Sequence, residues 1–294
     1  MRFRIIFYRI GTARKIVVRT DRGVCDMEQN ELKILRIRSL AQILCIVLGV
    51  YLIQMLCATL WAAIAVLFNV ADPSAKLMEM SVVSAFLVIL WCCLFYYQSG
   101  WGIFGYRRVC SMKAVISILG LGMGGCIVLA LLLSFLQTLF PAAFAGYTKV
   151  MDQFGRGEQV ITLLYTIGMG PIMEELIFRG AVLDRLRLAA YPFWLANLIQ
   201  AALFGIYHMN LIQGIYGFLW GMLLGALYQA SGSILASILA HMTFNTTNYL
   251  LMWLFPQGKP VSIPLYLGIF LFGVIFFAVG LCYTRKMLVS KRAG

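Results

Sequence analysis

The chain has 294 residues, of which 62% are hydrophobic and only 12% charged, with a formal net charge of +13. A soluble domain is close to half apolar and about a quarter charged, so a water-soluble globule is excluded. Recurrent apolar runs of roughly 20 residues, each long enough to cross a hydrocarbon core, point instead to an all-α polytopic membrane protein; the short alternating segments of a β-barrel are not evident.

In chain order, basic residues come first. They crowd positions 2–38, ahead of the first apolar run, and Arg285, Lys286, Lys291 and Arg292 follow the last one. Beside a membrane span, such clusters read as positive-inside retention against anionic lipid rather than as a nucleic-acid arm. The opening residues are too charged, and too far from an apolar run, for a cleavable signal peptide. Part of this arm is expected to form an interfacial amphipathic helix.

The apolar runs predict about eight spans, near 41–69, 80–98, 114–145, 160–186, 192–208, 211–230, 233–254 and 263–284. The third is too long for one straight crossing and is expected to tilt or to end near Pro141. Eight crossings place both basic termini on one side. The connections agree: Arg107, Arg108 and Lys113 follow span two and Arg185 and Arg187 follow span four, on the same, cytoplasmic, side. The opposite loop at 146–159 balances Lys149 and Arg156 against Asp152 and Glu158.

This reads as a multi-pass cell-membrane protein, bacterial in character, with both termini cytoplasmic. Its parts are a basic arm at 1–38, N-terminal transmembrane helices at 39–150, a core at 151–254, and a last helix with a basic tail at 255–294. The eight cysteines form no CxxC or metal-ligand spacing and read as buried free thiols. Gly214, Gly217, Gly221 and Gly225 approximate a small-xxx-small row, read as close helix packing.

The core holds the unusual residues. Ionisable groups within a bilayer are costly, and they mark a function or a paired structural site. The segment PIMEELIFRG puts Glu174, Glu175 and Arg179 into an otherwise apolar run. The chain's only two histidines, His208 and His241, sit in nearby runs, each in a helix-spaced pair: Phe204 with His208 in FGIYH, and His241 with Asn245 in HMTFN. Counted at 1.5 Å per residue from the cytoplasmic ends, Glu174 lies roughly 20 Å deep, His208 roughly 24 Å, His241 roughly 12 Å and Asn245 roughly 18 Å, so they can share one layer within the membrane.

Neighbours on a helix project about 100° apart, so the two glutamates are not expected to line one small site together. Glu175 stands four residues before Arg179, the favourable ion-pair order. Glu175 is therefore read as structural, and Glu174 as the carboxylate left for chemistry. A carboxylate and an imidazole sheltered from bulk water suit general acid–base work, and a second imidazole with an amide can hold an oxyanion. Glu174 and His208 activating water, with His241 and Asn245 on the tetrahedral intermediate, make an amide hydrolase. Helix-to-helix polar glue is the simpler alternative for any one of these residues; their concentration on three spans favours the hydrolase.

These stretches are familiar as a set. EELIFR resembles the EExxxR motif, FGIYH the FxxxH motif and HMTFN the HxxxN motif of the CPBP family of intramembrane endopeptidases, which includes the CAAX prenyl endopeptidase and proteins linked to bacteriocin processing and self-immunity. The resemblance extends over about 160–250, including FRG at 178–180 and GSILASILAHMTFN at 232–245. It implies an eight-helix fold with a conical, polar intramembrane cavity. It also implies water activation at Glu174 and His208, an oxyanion site at His241 and Asn245, and support from Glu175, Arg179 and Phe204.

A peptide or membrane-anchored protein is the implied substrate, with the bilayer and its anionic lipid as the other partner and no nucleic acid. No cofactor is favoured. Zinc is the alternative, with His208, His241 and Glu174 as its three ligands, although HExxH is absent. The competing functions are a non-catalytic peptide-binding membrane protein of immunity type and a proton-coupled transporter. The absence of GxSG argues against a rhomboid-type serine protease.

Overall fold

The structure, a computed structural model, describes residues 4–10, 13–20, 23–27, 29–72, 76–98, 111–154, 159–255 and 261–293. Of the loop charges that set the expected orientation, Arg107, Arg108, Arg156 and Glu158 lie outside the described residues.

The basic arm is not helical until its end. Strands β1 (Arg4–Ile10), β2 (Ala13–Thr20) and β3 (Gly23–Met27) form an antiparallel meander, with Arg4 opposite Arg19 and Val18 opposite Cys25. The Ile, Val, Phe and Tyr content of this stretch favours extended chain over helix. The helical part of the arm belongs to α1 (Gln29–Leu67), which rises about 58 Å and so runs well past a hydrocarbon core of about 30 Å. Its basic first turns are tied down. Arg36 donates from Nε to the Ala189 carbonyl at 3.2 Å, and its guanidinium lies over the Tyr191 ring at 5.2 Å.

From α1 onward every described element is helical, and six helices are long and apolar enough to cross a membrane: 29–67, 78–95, 112–139, 160–188, 211–231 and 263–287. The eight predicted spans all coincide with helix, but two fall short of that standard. α8 (Phe193–Tyr207) rises only about 22 Å. α10 (Ile234–Leu254) has the length, yet His241, Asn245, Asn248 and three threonines dilute its apolar character.

The overlong third span resolves as expected at the proline. α3 (Met112–Leu139) ends before Phe140, and Pro141 opens α4 (Pro141–Phe154); proline at a first helical position removes an N–H that would be unpaired anyway.

The remaining elements are α2 (Leu77–Gln98), α9 (Leu211–Ser231) and α11 (Ile263–Ala293). The core runs through the fourth span, α8, α9 and α10 and is lined by Met173, Ile177, Leu183, Phe204, Leu224 and Ala240.

The fourth span is not a uniform α-helix. It passes from α5 (Gln159–Leu163) to a π-helical turn, π1 (Leu164–Met169), then α6 (Gly170–Glu175), a second π-helical stretch, π2 (Leu176–Leu183), and α7 (Asp184–Leu188). π-Helical turns are rare and concentrate at functional sites. Here they flank the two glutamates on both sides.

Candidate active site

Glu175 and Arg179 form the buried centre, both side chains 0% exposed. Arg179 Nη1 donates to Glu175 Oε1 at 2.7 Å, and Nη2 donates to the Gly221 carbonyl at 3.2 Å. The guanidinium also lies over the Phe204 ring at 4.6 Å. A guanidinium out of water needs such company, because an uncompensated buried charge costs several kcal/mol (order of magnitude).

His241 joins this pair. Its Nδ1–H donates to the same Glu175 Oε1 at 2.8 Å, and its Nε2 faces Glu174 Oε2 at 3.7 Å. A carboxylate only accepts, so the proton on Nδ1 belongs to the imidazole. The 3.7 Å separation is too long for a hydrogen bond. Thus both carboxylates reach one imidazole, from opposite ring nitrogens. This corrects the expectation that adjacent glutamates cannot serve one small site: each need only flank the ring, and a ring has two edges.

The two glutamates differ sharply in what they are free to do. Glu175 Oε1 is occupied twice. The Glu174 side chain is 14% exposed, and among the described residues it has no hydrogen-bond donor of its own. It lies within electrostatic reach of Tyr165, Tyr207 and Tyr216.

His208 follows the last residue of α8, where the helix gives way to a turn through Met209, at φ 52°, before Asn210 caps α9 by accepting from the Gln213 N–H. Its Nδ1–H donates to the Phe204 carbonyl at 2.8 Å, which leaves Nε2 as the nitrogen with a free lone pair in the neutral ring. Phe204 stands edge-on to both histidines, with centroids 4.9 Å from His208 and 5.9 Å from His241. His208 makes no direct ion pair with Glu174; what the fold brings together is two imidazoles on one aromatic ring, one of them beside Glu174.

Asn245 sits one turn beyond His241 and donates from Nδ2 to the Thr166 carbonyl in π1 at 2.7 Å. That bond ties α10 to the fourth span and uses one of the two amide hydrogens.

Two site neighbours have no counterpart in the sequence reading. Gln200 donates from Nε2 to Asn197 Oδ1 at 2.8 Å and to the Gly221 carbonyl at 2.9 Å, while Asn197 Nδ2 donates to the Met222 carbonyl at 3.0 Å. Both are buried, and both were visible as amides three residues apart in an apolar run. The third omission is Gln54 of α1, whose Nε2 donates to the Tyr207 hydroxyl at 2.6 Å, so the first helix reaches the residue beside His208.

The glycine row explains how α9 comes this near. A Cβ at Gly221 would stand 3.0 Å from Phe204 and 3.2 Å from Ala201, and one at Gly225 would collide with Asn197 Oδ1. The packing reading of the row is the one these distances describe.

Zinc at a catalytic site takes about three protein ligands; among the described residues no three of His, Cys, Asp and Glu, with His208, His241 and Glu174 included, are gathered to hold an ion.

Residues 156–247, close to a third of the chain, match the family described as Rce1-like, type II CAAX prenyl endopeptidase. No curated protein and no solved structure matches. The matched segment contains Glu174, Glu175, Arg179, His208, His241 and Asn245. Residues 156–247 are thus similar to the Rce1-like type II CAAX prenyl endopeptidases. That likeness, in a multi-pass helical membrane protein, supports a CAAX-type intramembrane protease in general terms, acting on a peptide or protein substrate.

Proposed function

We propose that the protein is a glutamate-dependent intramembrane endopeptidase that hydrolyses a peptide bond in a peptide or membrane-anchored protein. The observation that carries this reading is the contrast within the Glu–Glu pair. One carboxylate is buried and committed to Arg179 and His241; the other is part-exposed and 3.7 Å from the same imidazole with no donor bound to it.

Glu174 takes a proton from water, oriented by the free Nε2 of His208, as the oxygen adds to the scissile carbonyl. The resulting oxyanion accepts from His241 Nε2–H and from the second amide hydrogen of Asn245. With Nδ1 donating to Glu175, a proton on Nε2 makes the ring cationic, and the charges of Glu174, Glu175, Arg179 and His241 then sum to zero. Collapse of the intermediate re-forms the carbonyl and breaks the C–N bond, and Glu174 returns its proton to the departing amine, leaving a new carboxylic acid, which gives up its proton to the new amino terminus. Glu175 and Arg179 hold His241 in place and do not touch the substrate.

The orientation proposed with it has both termini in the cytoplasm of a bacterial cell, their basic residues against anionic lipid and no nucleic-acid partner.

The test is turnover by the full chain, purified in detergent, of a quenched-fluorophore peptide library with prenylated and plain members. Glu174→Ala, Glu174→Gln and His208→Ala should each lower kcat by at least about 1000-fold with the thermal midpoint unchanged. Persistent cleavage by Glu174→Ala would remove the mechanism. Binding of a library peptide without cleavage by the wild type would favour the peptide-binding alternative. Cleavage should survive 1,10-phenanthroline; loss restored by zinc would assign the reaction to a metal.

A further inference from the structure

The fourth span contains a backbone defect with a single filler. In π1 the hydrogen bonds run back five residues rather than four, and the last of them joins the Gly170 N–H to the Tyr165 carbonyl. The next bond in that register would run from residue 171 to the Thr166 carbonyl. Residue 171 is proline, which has no N–H. The four-residue alternative for Thr166 is closed as well, because the Gly170 N–H is already spent on Tyr165. The Thr166 carbonyl is thus left without a helical donor inside a membrane segment, where an unpaired backbone group is costly.

Asn245 supplies the missing donor, from a different helix, at 2.7 Å. The match is specific to the proline. Any other residue at 171 would present an N–H toward Thr166 and compete with the amide. We infer that Pro171 is a positioning residue: by withholding one backbone hydrogen it keeps the Thr166 carbonyl open as the dock that fixes the Asn245 side chain. The part of this that concerns turnover rests on the proposed oxyanion role of Asn245; the docking itself does not.

The consequence is unusual for a proline in a helical span. Replacing it by alanine, a far better helix former, should close the backbone ladder and yet impair the enzyme, because Asn245 loses its seat.

Two measurements on the full chain in detergent test this, using as probe the library peptide that the wild type cleaves fastest. In thermal unfolding, Asn245→Ala should lower the midpoint by a few degrees in the wild-type background, where it orphans the Thr166 carbonyl. It should lower it by less than 1 °C or so in the Pro171→Ala background, where the new N–H takes that carbonyl. In turnover, Pro171→Ala should reduce kcat at least about tenfold with KM unchanged. Asn245→Ala should reduce kcat about 100-fold alone and no further when combined with Pro171→Ala.

Equal thermal losses in the two backgrounds would overturn the inference, as would a Pro171→Ala chain less stable than wild type or one with wild-type kcat. If Glu174→Ala still cleaves, the protease mechanism fails while the thermal cycle remains a fair test of the dock, so the two failures are distinguishable.

Discussion

The outermost helices and the fourth span show two opposite uses of a membrane segment. α1 and α11 turn large apolar side chains outward along their length: Leu52, Leu56, Leu271 and Ile275 are each more than half exposed. Their polar ties to the rest are few, such as Gln54 to Tyr207 and Tyr266 to the Leu131 carbonyl. The fourth span buries a carboxylate and a guanidinium completely and links them to α9 and α10 through side-chain and backbone hydrogen bonds. In lipid, apolar exposure costs little, and association relies on close packing and interhelical hydrogen bonds. The difference teaches where sensitivity should lie: with the buried polar side chains and the glycines that admit them, and least with the most apolar surface.

The sharpest way to break the comparison is to unpair the buried charges. Arg179→Ala leaves Glu175 with His241 as its remaining hydrogen-bond partner among the described residues, and Glu175→Ala leaves the guanidinium with the Gly221 carbonyl, an aromatic ring and the more distant charge of Glu174. Each should cost about 3–5 kcal/mol, read as failure to survive extraction or as a large fall in the thermal midpoint, with activity lost alongside. A stable Arg179→Ala chain would mean that the pair is not buried as described.

Next comes Gly225→Ala, which adds one methyl where Asn197 Oδ1 sits. It should cost about 1–3 kcal/mol by overpacking and part α8 from α9, measurable as a lower midpoint with cleavage reduced but not abolished. The smallest change is expected at the lipid face. Leu52→Ala, at a position 65% exposed, should shift stability by about 0.5 kcal/mol or less and leave turnover at the wild-type level. A large loss there would show that α1 uses that surface for more than contact with lipid.

Much of this plan is legible in the sequence, because it follows from spacing along one chain. Glu175 and Arg179 meet because they are four residues apart, and the helices lie where the apolar runs lie. What escaped depends on how one helix is rotated against another, or on local departures from α geometry. That His241 turns Nδ1 to Glu175 is set by the azimuth of α10, which no spacing within HMTFN reveals. The π stretches shift the register of a span whose hydrophobic pattern looks continuous. In the strands at 4–27 basic residues are interspersed among Ile, Val, Phe and Tyr without a strict period of two, so that charge alone is equally compatible with an amphipathic helix. Among the described residues, six rather than eight helices are both long and apolar enough to cross a membrane, because α8 is short and α10 is polar; α10 is polar because it carries His241 and Asn245 of the site itself.

One oxygen has a consequence for how this protein can vary. The carbonyl of Gly221 accepts from both Arg179 and Gln200, and it belongs to the peptide unit, so no point substitution deletes it. Change at position 221 therefore acts only by bulk, through the room it takes from Phe204 and Ala201. Two of the buried polar side chains are anchored to something that mutation can obstruct but cannot remove.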